Sequence, residues 1–132
     1  MIKKITANYH SKIIYENGNV DSQDEIYPGV LISSESNKRI VLDTNQESIE
    51  FIIYPDSITV NYTQPYKNTM LFKLNEKNTV VYKTEVGEFN LLIVTNKLEI
   101  TSNEFVINYS LYLNHTKTGD YILNVTYKST DN

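Results

Sequence analysis

The segment "EFVINYSLYLN", residues 104–114, places Phe105, Ile107, Tyr109, Leu111 and Leu113 on one parity, with Val106 and Tyr112 as the apolar exceptions on the other. Successive side chains of a strand point to opposite faces, so this spacing buries a whole face only if the segment is extended. At the 3.6-residue helical period the same residues would scatter around the axis. Comparable period-two runs occupy residues 2–15, 25–33, 38–43, 48–54, 57–63, 69–74, 78–84, 88–100, 104–114 and 120–128. The chain carries 15 Ile, 13 Thr, 11 Tyr and 10 Val against a single alanine, Ala7, a balance that suits a pleated surface and starves helices. It is expected to be all-β.

Short polar stretches separate the runs, and Gly18, Gly87 and Gly119 sit where tight hairpins need positive φ or close backbone approach. In residues 88–100 the apolar phase runs Phe89, Leu91, Ile93 and then resumes at Leu98 and Ile100, a change of parity that predicts a bulge or sharp bend. Sequential hairpins without crossover helices favour an up-and-down antiparallel barrel of about eight to ten strands, because closure removes exposed edges. A β-sandwich is the alternative. At 132 residues, one domain spanning 1–132 is expected.

The stretch "MLFKLNEKNTVVYKTEVGEFNLLIVTNKLEI", followed by "INYSLYLN" and a closing strand, resembles the YwiB-like family of bacterial proteins of unknown function. The elements that carry the resemblance are Phe72 at a strand end, Tyr82-Lys83-Thr84 leading to Gly87, and Tyr109-Ser110-Leu111 in the penultimate strand. The resemblance implies a calycin-like (lipocalin-like) barrel, bacterial origin and a cytoplasmic location. It implies no activity.

Charge and composition exclude several functions. A net charge of -4 with Arg39 as the sole arginine supplies no field for phosphates, so neither nucleic acid nor membrane is an expected partner. The absence of cysteine removes disulfides, thiolate zinc sites and cysteine nucleophiles, and suits a reducing cytosol. "MIKKITANYHSK" lacks the apolar run of a signal peptide, which again points to the cytoplasm. Four Asn-x-Ser/Thr triplets, at Asn61, Asn108, Asn114 and Asn124, are what 16 Asn, 13 Thr and 10 Ser produce by chance.

No catalytic residue, metal site or cofactor is expected. His10 falls on the face opposite Ile5, Ala7 and Tyr9, and His115 falls in a polar turn, so neither is placed as a general base. "DSQDE" lacks the alternate ligands and the twelfth-position glutamate of a calcium loop. Arg39 could clamp a carboxylate only from inside a barrel, and the inward parity of Ile40 and Leu42 turns it outward.

The tyrosines are more informative, since Tyr9, Tyr62, Tyr82, Tyr109, Tyr121 and Tyr127 share the inward parity, and buried phenols need hydrogen-bond partners. One account is a solid core whose hydroxyls reach the open ends. The preferred account is a non-enzymatic protein holding a small amphipathic or hydrophobic molecule inside the barrel, with Tyr62, Phe72, Tyr82, Thr84, Thr95 and Tyr109 lining the site. The alternative is an interaction module, in which outward Leu92, Val94, Val106, Tyr112 and Ile122 form a contiguous apolar patch that joins two copies as a homodimer.

Overall fold

A computed structural model describes residues 1–130. The strands are β1 (Ile2–Tyr15), β2 (Val20–Ser33), β3 (Lys38–Asp43), β4 (Ser48–Ile53), β5 (Ser57–Tyr62), β6 (Asn68–Lys73), β7 (Lys77–Thr84), β8 (Gly87–Ile100), β9 (Glu104–Leu113) and β10 (Thr116–Ser129). Every pairing is antiparallel, and the order β6-β5-β4-β3-β2-β1-β10-β9-β8-β7 is a meander joined through β1 and β10. This is the up-and-down, calycin-like barrel.

The parity break in β8 is a bulge: Thr95 pairs with Tyr109 and Lys97 with Asn108, leaving Asn96 as the extra residue. Its exposed side chain donates to Ser110 Oγ at 3.0 Å. Two boundaries differ from expectation by more than one residue. β2 begins at Val20 rather than near residue 25: its first residues pair with β1 at the edge of the sheet, are exposed on both faces and therefore lack alternation. β10 begins at Thr116, since the preceding turn is made by Asn114 and His115, both at positive φ (51° and 68°), and not by Gly119. Gly119 lies within β10 beside a second bulge, where a Cβ would come within 2.8 Å of the Ile14 carbonyl oxygen.

The edge strands β6 and β7 face each other without a ladder. Side chains bridge them instead. Asn68 Nδ2 donates to the Lys83 carbonyl at 3.2 Å while Asn68 Oδ1 accepts from the Lys83 amide at 2.8 Å, reproducing with one amide group the two bonds of a strand pair. Asn78 Nδ2 adds a bond to the Leu71 carbonyl at 3.1 Å. Backbone polar groups need partners, and these asparagines supply them where strand pairing stops.

Burial inside the barrel is graded along the strands. β9 passes from Phe105 and Ile107, fully buried, to Tyr109, Leu111 and Leu113, which are half-buried. β8 runs the other way, from exposed Phe89 through Leu91 to buried Ile93 and Thr95. One half of the interior is a packed core that includes Phe51, Phe72, Ile40, Leu42 and Val125, with the Phe51 and Phe105 rings 5.0 Å apart. The other half, at the end bearing the β3–β4, β5–β6, β7–β8 and β9–β10 turns, is open.

Candidate functional site

Strands β5 to β10 bring inward residues to a cavity of about 560 Å³, and these include Tyr62, Tyr82, Thr84, Leu91, Tyr109 and Leu113. Strand alternation puts them there: Tyr62 follows the buried Val60 on β5, and Tyr109 follows the buried Ile107 on β9. The floor is aromatic. Phe72 packs at 4.5 Å from the Tyr109 ring, and Tyr109 stacks on Tyr121 at 5.1 Å with 10° between the planes. Cross-strand partners Tyr82 and Phe89 form part of the lip and are 36% and 38% exposed.

The polar groups converge from strand ends and turns. Glu47, from the β3–β4 turn, accepts the Gln64 amide at 3.0 Å through Oε2, and both residues line the cavity. Thr118 donates to the Leu111 carbonyl at 3.1 Å. By contrast, the hydroxyls of Tyr62 and Tyr109 make no hydrogen bond to a described residue, and neither is sealed from the cavity space. Phenols so placed are available to an occupant.

Burial holds these phenols in their neutral form. It raises Tyr62 well above the ordinary tyrosine value, with Tyr109, Tyr9 and Glu47 adding to the effect. Burial, then Tyr9 and Tyr121, raises Tyr109. Tyr9, which packs edge-on against Tyr27 at 5.7 Å, is pushed up to about 12, chiefly by burial. An unfolded chain would release these protons near 10.0, so the stability they contribute is fully present below that pH and is lost as pH rises through the folded values. Absorbance-monitored alkaline titration is expected to show exposed tyrosines ionising first and this group only at higher pH, together with loss of fold. A single step near 10 for all 11 tyrosines with the fold intact would contradict the burial described.

The family model described as a domain of unknown function, DUF1934, matches residues 8–125. The chain belongs to this family. The fold is similar to that in the "Crystal structure of ywiB protein from Bacillus subtilis", with a TM-score of 0.78 over 98% of this chain and 94% of that one at 14% identity. At that identity the likeness speaks for the fold. A search of curated proteins gives no significant match.

Of the inward residues expected from the sequence, this DUF1934 barrel gathers Tyr62, Tyr82, Thr84 and Tyr109 around the cavity. Phe72 lies beneath it as support for Tyr109. Thr95 lies in the core with its hydroxyl unpartnered, because the cavity ends above its level on β8. Tyr127 belongs to the opposite end, where its hydroxyl donates to the Ser102 carbonyl at 3.1 Å. Glu47, Gln64 and Asn68 were not among the expected residues. Turn and strand-end residues carry no periodicity, and only barrel closure carries them to the cavity.

The outward residues Leu92, Val94, Val106, Tyr112 and Ile122 are half-buried, and Leu92 lies directly across from Tyr112. Register inserts polar residues among them: Val94 pairs with Ser110, Ser110 with Asp120, and Asn108 with Ile122. Ser110 donates to Asp120 at 2.6 Å and accepts from Asn96, so a hydrogen-bonded strip crosses the face. Arg39 points outward and pairs with Glu50, which also accepts from Asn61 at 2.8 Å. His10 pairs with Asp24 on the exposed part of the β1–β2 ladder, and neither histidine lines the cavity. Among the described residues no group of three or more His, Asp or Glu side chains converges, and no helix is long and apolar enough to cross a membrane.

Proposed function

We propose that this DUF1934 protein is a non-enzymatic binding protein of the bacterial cytoplasm that holds a small amphipathic molecule in the open half of its barrel. The observation that carries the reading is the pair of phenols, Tyr62 and Tyr109, facing a cavity of about 560 Å³ without a hydrogen bond to a described residue. That volume lies within the roughly 300–1,000 Å³ range of small-molecule sites, and apolar walls with a few polar anchors are their usual composition. Leu91, Leu111 and Leu113 supply the walls for a tail, and the phenols supply the anchors for a head group. A catalytic role has less support, because a general base must stand within reach of its nucleophile and the two histidines lie elsewhere.

Native mass spectrometry of protein isolated from its own host, followed by titration with octyl-chain probes, tests the reading. Binding is expected at about one molecule per chain. Tyr109→Phe keeps the ring contacts with Phe72 and Tyr121 but removes the hydroxyl, and is expected to weaken binding about three- to tenfold. Leu111→Trp is expected to narrow the cavity and weaken binding with the fold retained. A wild-type chain that binds none of the probes would reject the reading.

A further inference from the structure

The cavity is aromatic and acidic. Tyr62, Tyr82, Phe89, Tyr109 and Tyr121 present five rings to it, Glu47 contributes a carboxylate, and no Lys, Arg or His is among the residues that line it. Glu47 makes no ion pair with a described residue; its hydrogen bond from the Gln64 amide uses Oε2. Lys67 and Lys83 adjoin lining residues in sequence but are not themselves in the lining, and three other cations are paired with carboxylates outside it. Lys117 pairs with Asp120 at 3.0 Å, Arg39 pairs with Glu50 and His10 with Asp24.

We infer that the occupant is a cation: an amphipathic amine or quaternary ammonium whose head group sits among the tyrosine rings with Glu47 as its counter-charge. This rests on the amphipathic-binding reading above and narrows it to one class of head group. The negative faces of aromatic rings attract a cation within about 6 Å, and the attraction grows when the site is shielded from water. A quaternary ammonium has no proton to donate and little hydration to lose, so ring faces and one carboxylate suffice to hold it. Tyr62 and Tyr109 stay neutral because burial resists their ionisation, and they therefore act as rings and dipoles rather than as second anions.

Two competing head groups are weaker fits. A carboxylate or phosphate could accept hydrogen bonds from the two phenols. It would also meet Glu47 with no positive side chain to offset the like charge, an arrangement that penalises the anion. A neutral polar head group would satisfy the phenols and leave the Glu47 carboxylate without a counter-charge. The net charge of -4 also draws cations toward the protein as a whole.

The test is a matched series with one tail length, octyltrimethylammonium, octyl glucoside and octanoate, each below its micelle concentration, measured by calorimetry and by the fluorescence of the 11 tyrosines in a chain without tryptophan. The cation is expected to bind at least about tenfold more tightly than octanoate, and the margin is expected to shrink as salt rises. Glu47→Gln keeps an acceptor for the Gln64 amide and is expected to weaken the cation about fivefold while leaving octyl glucoside within about twofold. Octanoate or octyl glucoside binding to the wild type as tightly as the cation would overturn the inference and leave the amphipathic-binding reading standing. Failure of all three probes would overturn both.

Discussion

Phe105→Ala is expected to destabilise the protein by about 3–5 kcal/mol, measured by urea unfolding followed by circular dichroism. Phe105 is fully buried, its ring lies 5.0 Å from that of Phe51, and its strand neighbours are Ile100 on β8 and Val125 on β10. Truncation removes the apolar area of a benzyl group and leaves a void that strands on both sides cannot close without breaking their ladders. For a domain with a typical total of about 5–15 kcal/mol, that is about a fifth or more of its stability. The informative comparison is Leu113→Ala, on the same face of the same strand but at the open end and half-buried. It is expected to cost about 1 kcal/mol, since part of that side chain already faces cavity space. Equal costs at the two positions would mean that the interior is not divided into a packed half and an open half.

The second large effect is expected at Asn68, which is 8% exposed and lies where β6 meets β7. Asn68→Ala deletes the bonds to both the amide and the carbonyl of Lys83 and leaves those groups without partners at a seam that has no ladder to replace them. Lys83 is exposed and water can reach its freed groups, so the loss expected is that of two hydrogen bonds, about 1–3 kcal/mol. Hydrogen exchange gives the more specific reading: the Lys83 amide should lose protection along with β6 and β7, while the β1–β10 ladder keeps its own until global unfolding. Asn78→Ala, which removes a single bond to the Leu71 carbonyl, is expected to cost about 1 kcal/mol. Unchanged exchange at Lys83 in the Asn68 variant would show that the seam is held by something other than this amide group.

The two variants also mark how far the chain could be read in advance. Phe105 was legible from its neighbours alone, because alternation at period two places a residue on a face whatever the rest of the chain does. The same rule located the β8 bulge from the shift between Ile93 and Leu98, and gave the inward parity of Tyr62, Tyr82 and Tyr109. It failed where both faces are wet. The first residues of β2, Val20 to Gln23, carry no alternation because, among the described residues, β1 is their sole ladder partner and both their faces are exposed. It failed again at the β9–β10 turn, where Asn114 and His115 adopt positive φ and the glycine nearby serves close packing instead.

Asn68 and Glu47 had no such signal. A lone asparagine at a strand start reads as a solvated turn residue until strand order brings β6 against β7, and a glutamate in a short turn reads as surface charge until the turns of one end surround a common space. Thr95 shows the complementary limit: parity correctly turned it inward but could not say at what depth the packed core gives way to the cavity. Extended structure, inward faces and the tight hairpins follow from chemistry between residues a few positions apart, where steric and hydrophobic preferences act without knowledge of the remainder. The seam, the depth of the cavity and the meeting of Glu47 with the tyrosines depend on how ten strands close around one another, and closure is set by packing between residues remote in sequence.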